Sequence, residues 1–445
     1  MIPILTNIDH ARQTILRRVA FEDTRVPDTI VARLTTLFGT PTTPQQAVDQ
    51  ILADVRATGE AAVRDWSARI DGYHGALEVP HAELAAAAAR IDPALLAALE
   101  LAAGELWRFH ARQVRNSWAD HGVEGVLGQL IVPLQRVGVY APGGAAPLPS
   151  SLLHAAIPAR VAGVDEIIVC SPPQRDGAIA DVTLAAAHVA RVNRMFAIGG
   201  AQAIGALAYG AGPVPRVDTI AGPGNLFVVL AKRAVYGAVG IESLPGPTET
   251  LVIADAHANV RLVAADLLAQ AEHLLASAIL LTPSRALADA VAAEIAVQLA
   301  RLPAANARDA AEALVQRSGI VIVPDLAVAF ALANEYAPEH LCLLIDEPWE
   351  YIGQVRNAGG IFVGERSFEV LGDYVAGPSH IMPTGGTARF ASPVNVDHFR
   401  KIISLVGLNA AALARIGPAA ARIATAEGLA AHAAAVQARL DPATA

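Results

Sequence analysis

The sequence predicts an α/β protein with two doubly wound, Rossmann-like parallel sheets, a helical N-terminal region and a C-terminal helical arm. From about Gln135 onward one pattern recurs, in which a short apolar run is followed by a glycine or proline turn and then by a helical stretch. Strands that alternate with helices in this way are typical of a parallel sheet. The pattern runs through two consecutive series, and a length of 445 residues suits about three domain-sized units.

The predicted elements follow in order along the chain. The part up to about Arg115 is alanine-rich and mostly helical. The first series contains the apolar runs RVGVY, EIIVC, RMFAI and VDTIA, and the second contains TLVIAD, AILLTP, GIVIVP and LCLLI. From about Val394 the chain is again helical, but it has too few large apolar residues for a core of its own. We therefore expect this part to be an arm that packs on another subunit.

Composition argues against several classes of protein. A hydrophobic content of 53% with only 17% charged residues is that of a folded chain rather than a disordered one. Acidic residues outnumber basic ones by 42 to 33, and no Lys/Arg cluster is present, which argues against a nucleic acid or an anionic membrane as partner. Cys170 and Cys342 lie far apart without a C-x-x-C pattern, so neither a disulfide framework nor a thiolate zinc site is expected.

No targeting or membrane segment is expected. The N-terminal sequence MIPILTNIDHARQ lacks a basic segment followed by a long apolar run, as a signal peptide would have. The uncharged stretch 196–215 is about as long as a membrane helix. Its Gly-Gly pair and the breakers between Gly210 and Pro215 instead favour a strand, a turn, a short helix and a loop. We therefore expect a cytoplasmic protein with no membrane partner.

Three glycine turns follow the strands of the first series, namely YAPGG, GGAQ and GPGN. Ligands of α/β folds gather beyond the carboxyl ends of the strands, where these turns are predicted to lie. None is a dinucleotide fingerprint, because GPGNLF has Phe227 where a third small residue is needed for close helix packing. Taken alone, the turns are compatible with a nucleotide site and equally with ordinary connections.

A helix in the second series, LVAADLLAQAEHLL, combines a broad apolar surface with polar residues on one stripe. Gln270 and His273 are three apart and Asp266 lies one turn earlier. The segment YAPEHL then places Glu339 beside His340 at the exit of a helix, because the proline disfavours helix in the residue before it. Each group has an ordinary explanation, a solvated polar stripe or loop, and a functional one, a metal site or an acid/base pair.

Two later segments add further titratable pairs. GDYVAGPSH contains Asp373 and His380 in a glycine-rich loop, and EGLAAH contains Glu427 and His432 at the start of a helix. A turn with a surface histidine and an exposed helix start explain them equally well when each is taken alone.

In order and spacing, these segments resemble the histidinol dehydrogenase family. The resemblance covers nearly the whole chain and rests on VGVYAPGG, ARVAGV, GGAQAI, GPGN, GPTETLVIAD, DLLAQAEH, YAPEHL, GDYVAGPSH-IMPT-GGTARF and EGLAAH. It implies a homodimer with shared active sites, one zinc per subunit and NAD. The implied reaction is the four-electron oxidation of L-histidinol, through L-histidinaldehyde, to L-histidine with two NAD, the last step of histidine biosynthesis.

The resemblance assigns zinc ligands among these residues: Gln270, His273, Asp373 and, from the partner subunit, His432. One amide, two imidazoles and one carboxylate leave the ion a residual positive charge for substrate donors. Composition alone would not have found this metal, because Gln is an unusual zinc ligand. In this family pattern the zinc mainly orients the substrate.

The resemblance also assigns catalytic, substrate and cofactor positions. His340 is implied as the base for the hydroxyl proton, and Glu339 as the base that activates water to attack the aldehyde. The other substrate contacts are Thr248, His380 and Glu427, in addition to His340 and the four zinc ligands. The implied NAD contacts, one in each glycine turn, are Tyr140, Gln202 and Asn225.

On this basis we divide the chain into five parts. These are an N-terminal helical segment (1–30), an α/β domain with most zinc and catalytic residues (31–116 with 247–393), a connecting segment (117–139), an NAD-binding domain (140–246) and a dimerisation arm (394–445). The sequence departs from many relatives at Leu274-Leu275 and in a short segment at 235–241. Alternatives are a related NAD-dependent dehydrogenase of another small hydroxy compound, a zinc hydrolase, and a catalytically silent binding protein.

Overall fold

The computed structural model describes residues 2–18, 26, 28–143, 147–273 and 275–441. They divide into two compact units, and we describe each by itself. The first unit comprises Met1–Gln113 with Gln135–Phe399, and the second comprises Val114–Leu134 with Arg400–Ala445.

The strands of the described residues are β1 (Ile4–Leu5), β2 (Glu78–Val79), β3 (Trp118–Gly122), β4 (Gly125–Pro133), β5 (Arg136–Tyr140), β6 (Glu166–Ser171), β7 (Arg194–Ala197), β8 (Thr219–Ala221), β9 (Gly240–Ile241), β10 (Glu249–Ala254), β11 (Ser277–Thr282), β12 (Gly319–Ile322), β13 (His340–Leu344), β14 (Gly360–Val363) and β15 (Arg400–Leu408). The α-helices are α1 (Ile8–Gln13), α2 (Asp28–Phe38), α3 (Pro44–Thr58), α4 (Glu60–Asp71), α5 (His81–Arg90), α6 (Pro93–His110), α7 (Pro149–Ala162), α8 (Asp181–Val189), α9 (Gly200–Tyr209), α10 (Leu226–Val235), α11 (Val260–Ala271), α12 (Arg285–Leu299), α13 (Ala304–Gln316), α14 (Leu326–Tyr336), α15 (Glu369–Tyr374), α16 (Ala410–Ala426) and α17 (Ala430–Leu440).

The first unit contains two six-stranded sheets of the same topology. One sheet has the order β2-β7-β6-β5-β8-β9 and the other β1-β12-β11-β10-β13-β14. All neighbouring strands pair in parallel except the edge strand β2, which is antiparallel to β7. In both sheets the first strand of the series lies at the centre. The next two strands are added toward one edge, and the chain then returns to the centre and adds two strands toward the other edge. This is the doubly wound arrangement. The predicted α/β fold with two parallel sheets is confirmed.

The uncharged stretch 196–215 forms the end of β7, a turn, α9 and a loop, as expected from its glycines. Among the helices that the structure describes, none is both long enough and apolar enough to cross a membrane.

Helices α3 and α4 pack on the sheet of β5, so the predicted grouping of residues 31–116 with residues 247–393 is wrong for these two helices. Helix α3 buries Val48, Ile51, Leu52 and Val55, a helical i, i+3, i+4, i+7 stripe, in one core with Ile204 of α9. Strand β2 joins the same sheet by pairing with β7. A local apolar stripe predicts the helix but not the sheet that it covers, which explains the difference.

The N-terminal segment 1–30 also differs from the helical prediction. Ile4 and Leu5 form strand β1, which pairs in parallel with Ile320 and Val321 of β12 at the edge of the other sheet. Helix α1 then follows, with the Asn7 side chain capping it at the N–H of His10.

The second unit is a three-stranded antiparallel sheet with two helices. Strand β15 pairs along its whole length with β4, from Arg400 opposite Pro133 to Leu408 opposite Gly125, and β3 pairs with the other edge of β4. The predicted connecting segment 117–139 therefore supplies two strands, and the predicted helical arm 394–445 begins its part of this unit with a strand. The two paired segments are far apart in the chain, so local periodicity cannot reveal that they form one sheet.

Candidate functional site

The predicted acid/base pair, Glu339 and His340, lies in the sheet that has β10 at its centre. The pair is at the amino-terminal edge of that sheet, where β13 begins beside β10. Glu339 immediately precedes β13, His340 is its first residue, and Thr248 lies two residues before Thr250, which is paired with His340. Helix α14 ends at Tyr336 because Ala337 takes a left-handed conformation, with φ of +52°, before Pro338. The chain then enters β13, so the pair sits at the edge opposite to that where ligands of doubly wound sheets usually bind.

Glu339 is held as a buried hydrogen-bond acceptor. Its side chain is almost fully buried, and Oε2 accepts from the Thr248 hydroxyl at 2.6 Å and from the Glu249 N–H at 3.0 Å. Burial raises the pKa of Glu339 to about 7, against the opposing effects of the His340 charge and the two hydrogen bonds. A carboxyl group with a pKa near neutrality can accept a proton during a reaction and release it afterwards.

His340 has one ring nitrogen engaged and one directed toward a carboxylate. Its Nδ1 lies 3.1 Å from the carbonyl oxygen of Glu249, so Nδ1 carries the proton in this contact. Its Nε2 is buried without a hydrogen-bond partner among the described residues, 3.7 Å from Oδ1 of Asp373. Burial opposes the charged ring, but the carboxylates of Glu339, Asp373 and Glu369 outweigh it and raise the pKa of His340.

Arg18, which was not predicted as a site residue, holds the end of α14 just before this pair. Its guanidinium donates to the carbonyls of Tyr336 and Ala337, with Nε at 2.8 Å from the former and a terminal nitrogen at 3.0 Å from the latter. It also pairs with the Glu249 carboxylate and stacks on the Tyr336 ring, 3.5 Å from its centre. An arginine so remote in sequence gives no local signal of this contact.

Gln270 lies in the last turn of α11, with its amide buried. Its Oε1 accepts from the Thr250 hydroxyl at 2.8 Å, while its Nε2 is buried without a hydrogen-bond partner among the described residues. His273 does not lie on the helix, which ends at Ala271, but in the turn that follows, where its N–H bonds the Gln270 carbonyl at 3.3 Å. His273 is exposed. Of the two departures at Leu274-Leu275, Leu274 lies outside the described residues.

Helix α15 contributes two carboxylates, of which the sequence analysis identified one. Burial opposes ionisation of Asp373, but His340, His380 and His273 outweigh it and lower its pKa. Glu369 is one turn earlier, almost fully buried, and hydrogen-bonded to Thr250. Burial raises the pKa of Glu369 to about 8. The spacing of four residues to Asp373, on one face of a short helix, is the signal that could have revealed Glu369.

Asp266 extends this carboxylate cluster by one helical turn from Gln270. It is buried, and burial, with a smaller contribution from the charge of Glu365, raises its pKa to about 7. Of the polar stripe seen in the sequence, Asp266 and Gln270 are thus buried, whereas His273 is exposed.

His380 is locked by hydrogen bonds at both ring nitrogens. Its Nδ1 donates to the Asp373 carbonyl at 2.8 Å, and its Nε2 accepts from the Ser151 hydroxyl at 3.1 Å. Its ring stacks on His154 with 4.1 Å between centres, and its backbone N–H donates to Nδ1 of His154 at 2.9 Å. Burial lowers the pKa of His380, which favours the neutral ring. Ser151 and His154, both on α7, were not found from the sequence.

The three glycine turns follow β5, β7 and β8 of the other sheet, at its carboxyl edge; Gly144 of the first turn lies outside the described residues. Tyr140 ends β5, and its hydroxyl accepts from the Gly200 N–H at 3.2 Å. Gln202 is fully buried, with Nε2 at 3.4 Å from Asp71. Asn225 caps α10, where its Oδ1 accepts from two backbone N–H groups at 3.0 and 3.3 Å. The three predicted NAD contacts therefore lie at one edge of this sheet, and two of them, Tyr140 and Asn225, follow the strands β5 and β8 between which the strand order reverses.

A model of the family described as Histidinol dehydrogenase matches residues 40–440. The chain belongs to the histidinol dehydrogenase family. It is 57% identical over 431 residues to histidinol dehydrogenase of Deinococcus radiodurans, covering 97% of this chain and 98% of the relative. The corresponding enzyme of Thermus thermophilus is 50% identical over 392 residues, covering 88% and 93% of the two chains. The crystal structure of histidinol dehydrogenase from Elizabethkingia anophelis superposes with a TM-score of 0.89 at 32% identity, covering 99% of this chain and 98% of that one.

Membership of the histidinol dehydrogenase family confirms the resemblance noted in the sequence and the predicted reaction class, an NAD-dependent oxidoreductase of histidine biosynthesis. Two residues that the resemblance assigns to the site lie in the second unit. Glu427 caps the end of α16 and His432 lies in the first turn of α17, both exposed. Their role in a histidinol dehydrogenase site stays a prediction.

The residues of the first unit fit the zinc ligand set that the histidinol dehydrogenase resemblance implies. Among the described residues no three His, Cys, Asp or Glu side chains are arranged to hold a metal ion. The implied set has only two such residues in this unit, His273 and Asp373, since Gln270 is an amide and His432 belongs to the second unit. The amide of Gln270 has a buried end, Nε2, without a hydrogen-bond partner among the described residues, and the lowered pKa of Asp373 makes that carboxylate available as an anionic ligand.

Proposed function

We propose that the protein is a zinc-dependent histidinol dehydrogenase that oxidises L-histidinol, through L-histidinaldehyde, to L-histidine with two NAD. The observation that carries the proposal is the buried pair of Glu339 and His340 between the central strands, with the free Nε2 of His340 directed toward Asp373. The substrate is inferred from family membership. The two bases, the Glu339 carboxylate and the His340 imidazole, are inferred from the geometry.

The zinc ligands that we propose are Gln270, His273 and Asp373 of one subunit, with His432 of the partner subunit. When bound, zinc would hold the substrate's own nitrogen or oxygen donors and so fix its orientation. Gln270 is buried and Asp373 is partly buried. His273, in a turn at the margin, is exposed and free to complete the set.

His340 is proposed as the base for the alcohol. Because Nδ1 is committed to the Glu249 carbonyl, Nε2 is the nitrogen that faces the site. The nearby carboxylates raise the pKa of His340, so the ring must first release its Nε2 proton; the neutral ring then takes the hydroxyl proton at Nε2. Lost general bases cost roughly two to four orders of magnitude in rate.

Glu339 is proposed as the base for the second oxidation. With a pKa of about 7, it can remove a proton from the water that attacks the aldehyde, and the resulting diol is then oxidised. The Thr248 hydroxyl and the Glu249 N–H both bond Oε2, which leaves the other carboxylate oxygen for that water. Thr248, His380 and Glu427 are proposed as further substrate contacts.

NAD, which accepts the electrons of both oxidations, is proposed to bind at the carboxyl edge of the β5 sheet. Tyr140 is the last residue of β5, Gln202 follows β7, and Asn225 follows β8. Gly222 supports this: its φ is +122°, and a Cβ there would lie 2.1 Å from the Tyr140 carbonyl oxygen, so only glycine allows this turn to approach β5 so closely.

A homodimer is proposed because the sheet of the second unit exposes apolar side chains on strand β15 and on β4. These side chains include Ile402 (49% exposed), Val406 (66%), Leu127 (51%) and Leu130 (41%). Successive residues of a strand point to opposite faces, so Ile402 and Ile403, both exposed, show that neither face of β15 is fully covered. A second copy of the chain, docked on this sheet, would bury these residues and bring Glu427 and His432 of the partner subunit to the site.

The test is a turnover assay with L-histidinol and NAD. Metal-depleted protein should be inactive, zinc should restore activity, and two NADH should form per histidinol consumed. A ratio of one would show that the chain stops at the aldehyde. Full activity in a preparation shown to be metal-free would remove the zinc from the proposal, and hydrolysis without NADH would favour a zinc hydrolase.

A further inference from the structure

The Thr250 hydroxyl has one proton and lies between an amide oxygen and a carboxyl group. Its Oγ1 is 2.8 Å from Oε1 of Gln270 and also contacts Oε2 of Glu369. The three side chains are fully or almost fully buried, so solvent does not reach these contacts. A hydroxyl can donate to one of these oxygens but not to both, whereas it can accept from a further donor.

A turn of the Gln270 amide resolves this conflict. The oxygen and nitrogen ends of an amide have nearly the same shape, and hydrogen bonding decides between them. If Thr250 donates to the Glu369 carboxylate, its oxygen is left to accept a proton from Nε2 of Gln270. The turned amide then satisfies the buried Nε2, which otherwise has no partner among the described residues.

The same turn directs Oε1 of Gln270 into the site. We propose that Glu369, acting through the Thr250 hydroxyl, is a positioning residue that turns the carbonyl oxygen of Gln270 toward the zinc. The inference rests on the proposed function, since it concerns a ligand of that zinc. An amide nitrogen has no available lone pair and does not bind zinc, so the end of the amide that faces the ion decides whether Gln270 is a ligand.

The direction of the hydrogen bonds follows from the charge on Glu369. A carboxylate only accepts, so it forces Thr250 to donate to it and Gln270 to donate to Thr250. Burial raises the pKa of Glu369 to about 8, and a protonated Glu369 could itself donate to Thr250. The inference therefore concerns the zinc-bound protein, in which a nearby cation opposes the effect of burial and favours the ionised carboxylate. The chain of contacts therefore runs from Glu369 on α15, through Thr250 on β10, to Gln270 on α11, and joins three elements around one ligand.

Thr250→Val and Thr250→Ser separate the hydroxyl from the shape of the side chain. Valine keeps the branched shape and removes the hydroxyl, whereas serine keeps the hydroxyl. Zinc affinity of the metal-depleted, full-length variants would be measured by competition with a chromophoric chelator. Partners that orient metal ligands typically change affinity by roughly 10- to 100-fold. We expect Thr250→Val to weaken zinc binding by about this factor, and Thr250→Ser to stay close to the unaltered protein.

A double-variant cycle distinguishes orientation from general stability. In a Gln270→Glu background the ligand has two equivalent oxygens and no end to be turned, so Thr250→Val should there change zinc affinity much less. Equal loss in both backgrounds would show that Thr250 supports the fold and not the amide. Glu369→Gln gives an independent measurement, because its amide can donate to Thr250 and no longer enforces one direction, so zinc binding should weaken.

The outcomes separate the inference from the proposed function. Unchanged zinc affinity in Thr250→Val or in Glu369→Gln, in protein that binds zinc and turns over L-histidinol before substitution, overturns the inference alone. Failure of the unaltered protein to bind zinc overturns both. Thermal unfolding of the metal-depleted variants shows whether each is folded, and if Thr250→Val is not, the Glu369→Gln result decides.

Discussion

Lys232 and Glu242 form a buried ion pair beneath the glycine turn that carries Asn225. Lys232 is fully buried, and its Nζ donates to Glu242 at 2.7 Å and to the Gly222 carbonyl at 3.1 Å. Glu242 in turn accepts from the Gly222 N–H at 2.8 Å. Both polar groups of Gly222 thus depend on this pair, so we expect Lys232→Met to loosen the turn as well as to destabilise the unit.

The magnitude follows from what Lys232→Met leaves behind. Glu242 stays buried with one backbone donor and no cation, and the Gly222 carbonyl loses its donor. Removal of one partner of a buried pair costs roughly 3–5 kcal/mol of unfolding free energy. In the double variant with Glu242→Gln the charge is gone, the amide oxygen still accepts from Gly222 and its NH₂ can donate to the Gly222 carbonyl. Most of the loss should therefore be recovered.

Urea unfolding followed by tryptophan fluorescence measures this effect. Trp66 is buried in the core beside α9, whereas Trp107, Trp118 and Trp349 are about half or more exposed, so the signal change reports mainly on that core. Activity at low and high NAD should show a raised KM for NAD in the single variant. Equal stability of the single and double variants, or a single variant as stable as the unaltered protein, would refute the reasoning.

Three further predictions concern the site. His340→Asn should slow alcohol oxidation by roughly two to four orders of magnitude; a loss below about tenfold would make its role structural. Glu339→Gln should slow the aldehyde-to-acid step more than the alcohol step. In the unaltered protein the acid-forming step should speed up as pH rises through about 7, since Glu339 must lose its proton to act as base; equal slowing of both steps contradicts the assignment. His273→Ala and His432→Ala should each be inactive as pure proteins. When equal amounts of the two variants are mixed and exchange subunits, half the molecules are heterodimers, and each heterodimer has one intact site. About a quarter of all sites should therefore recover activity. No recovery, with exchange shown by mass, would disprove the shared site.

Several features of this protein were already determined by short stretches of sequence. The apolar runs ending at Tyr140, Cys170 and Ala221 predicted parallel strands, because a strand buried on both faces must be apolar throughout. The end of α14 before Pro338 follows from local sterics, because a proline disfavours helix in the residue before it, and Glu339 and His340 come directly after that proline. These signals depend only on residues that are neighbours in the sequence, so they do not require knowledge of the tertiary structure.

Other features were decided only by the tertiary structure. Residues 400–408 form a strand because β4, a remote segment, supplies its hydrogen bonds, and α3 covers α9 because its apolar stripe finds a complementary surface there. Glu369, Thr250 and Gln270 meet although they come from three elements and share no motif. Buried polar atoms need hydrogen-bond partners, and here those partners are remote in sequence. Local sequence patterns therefore cannot predict which residues pair.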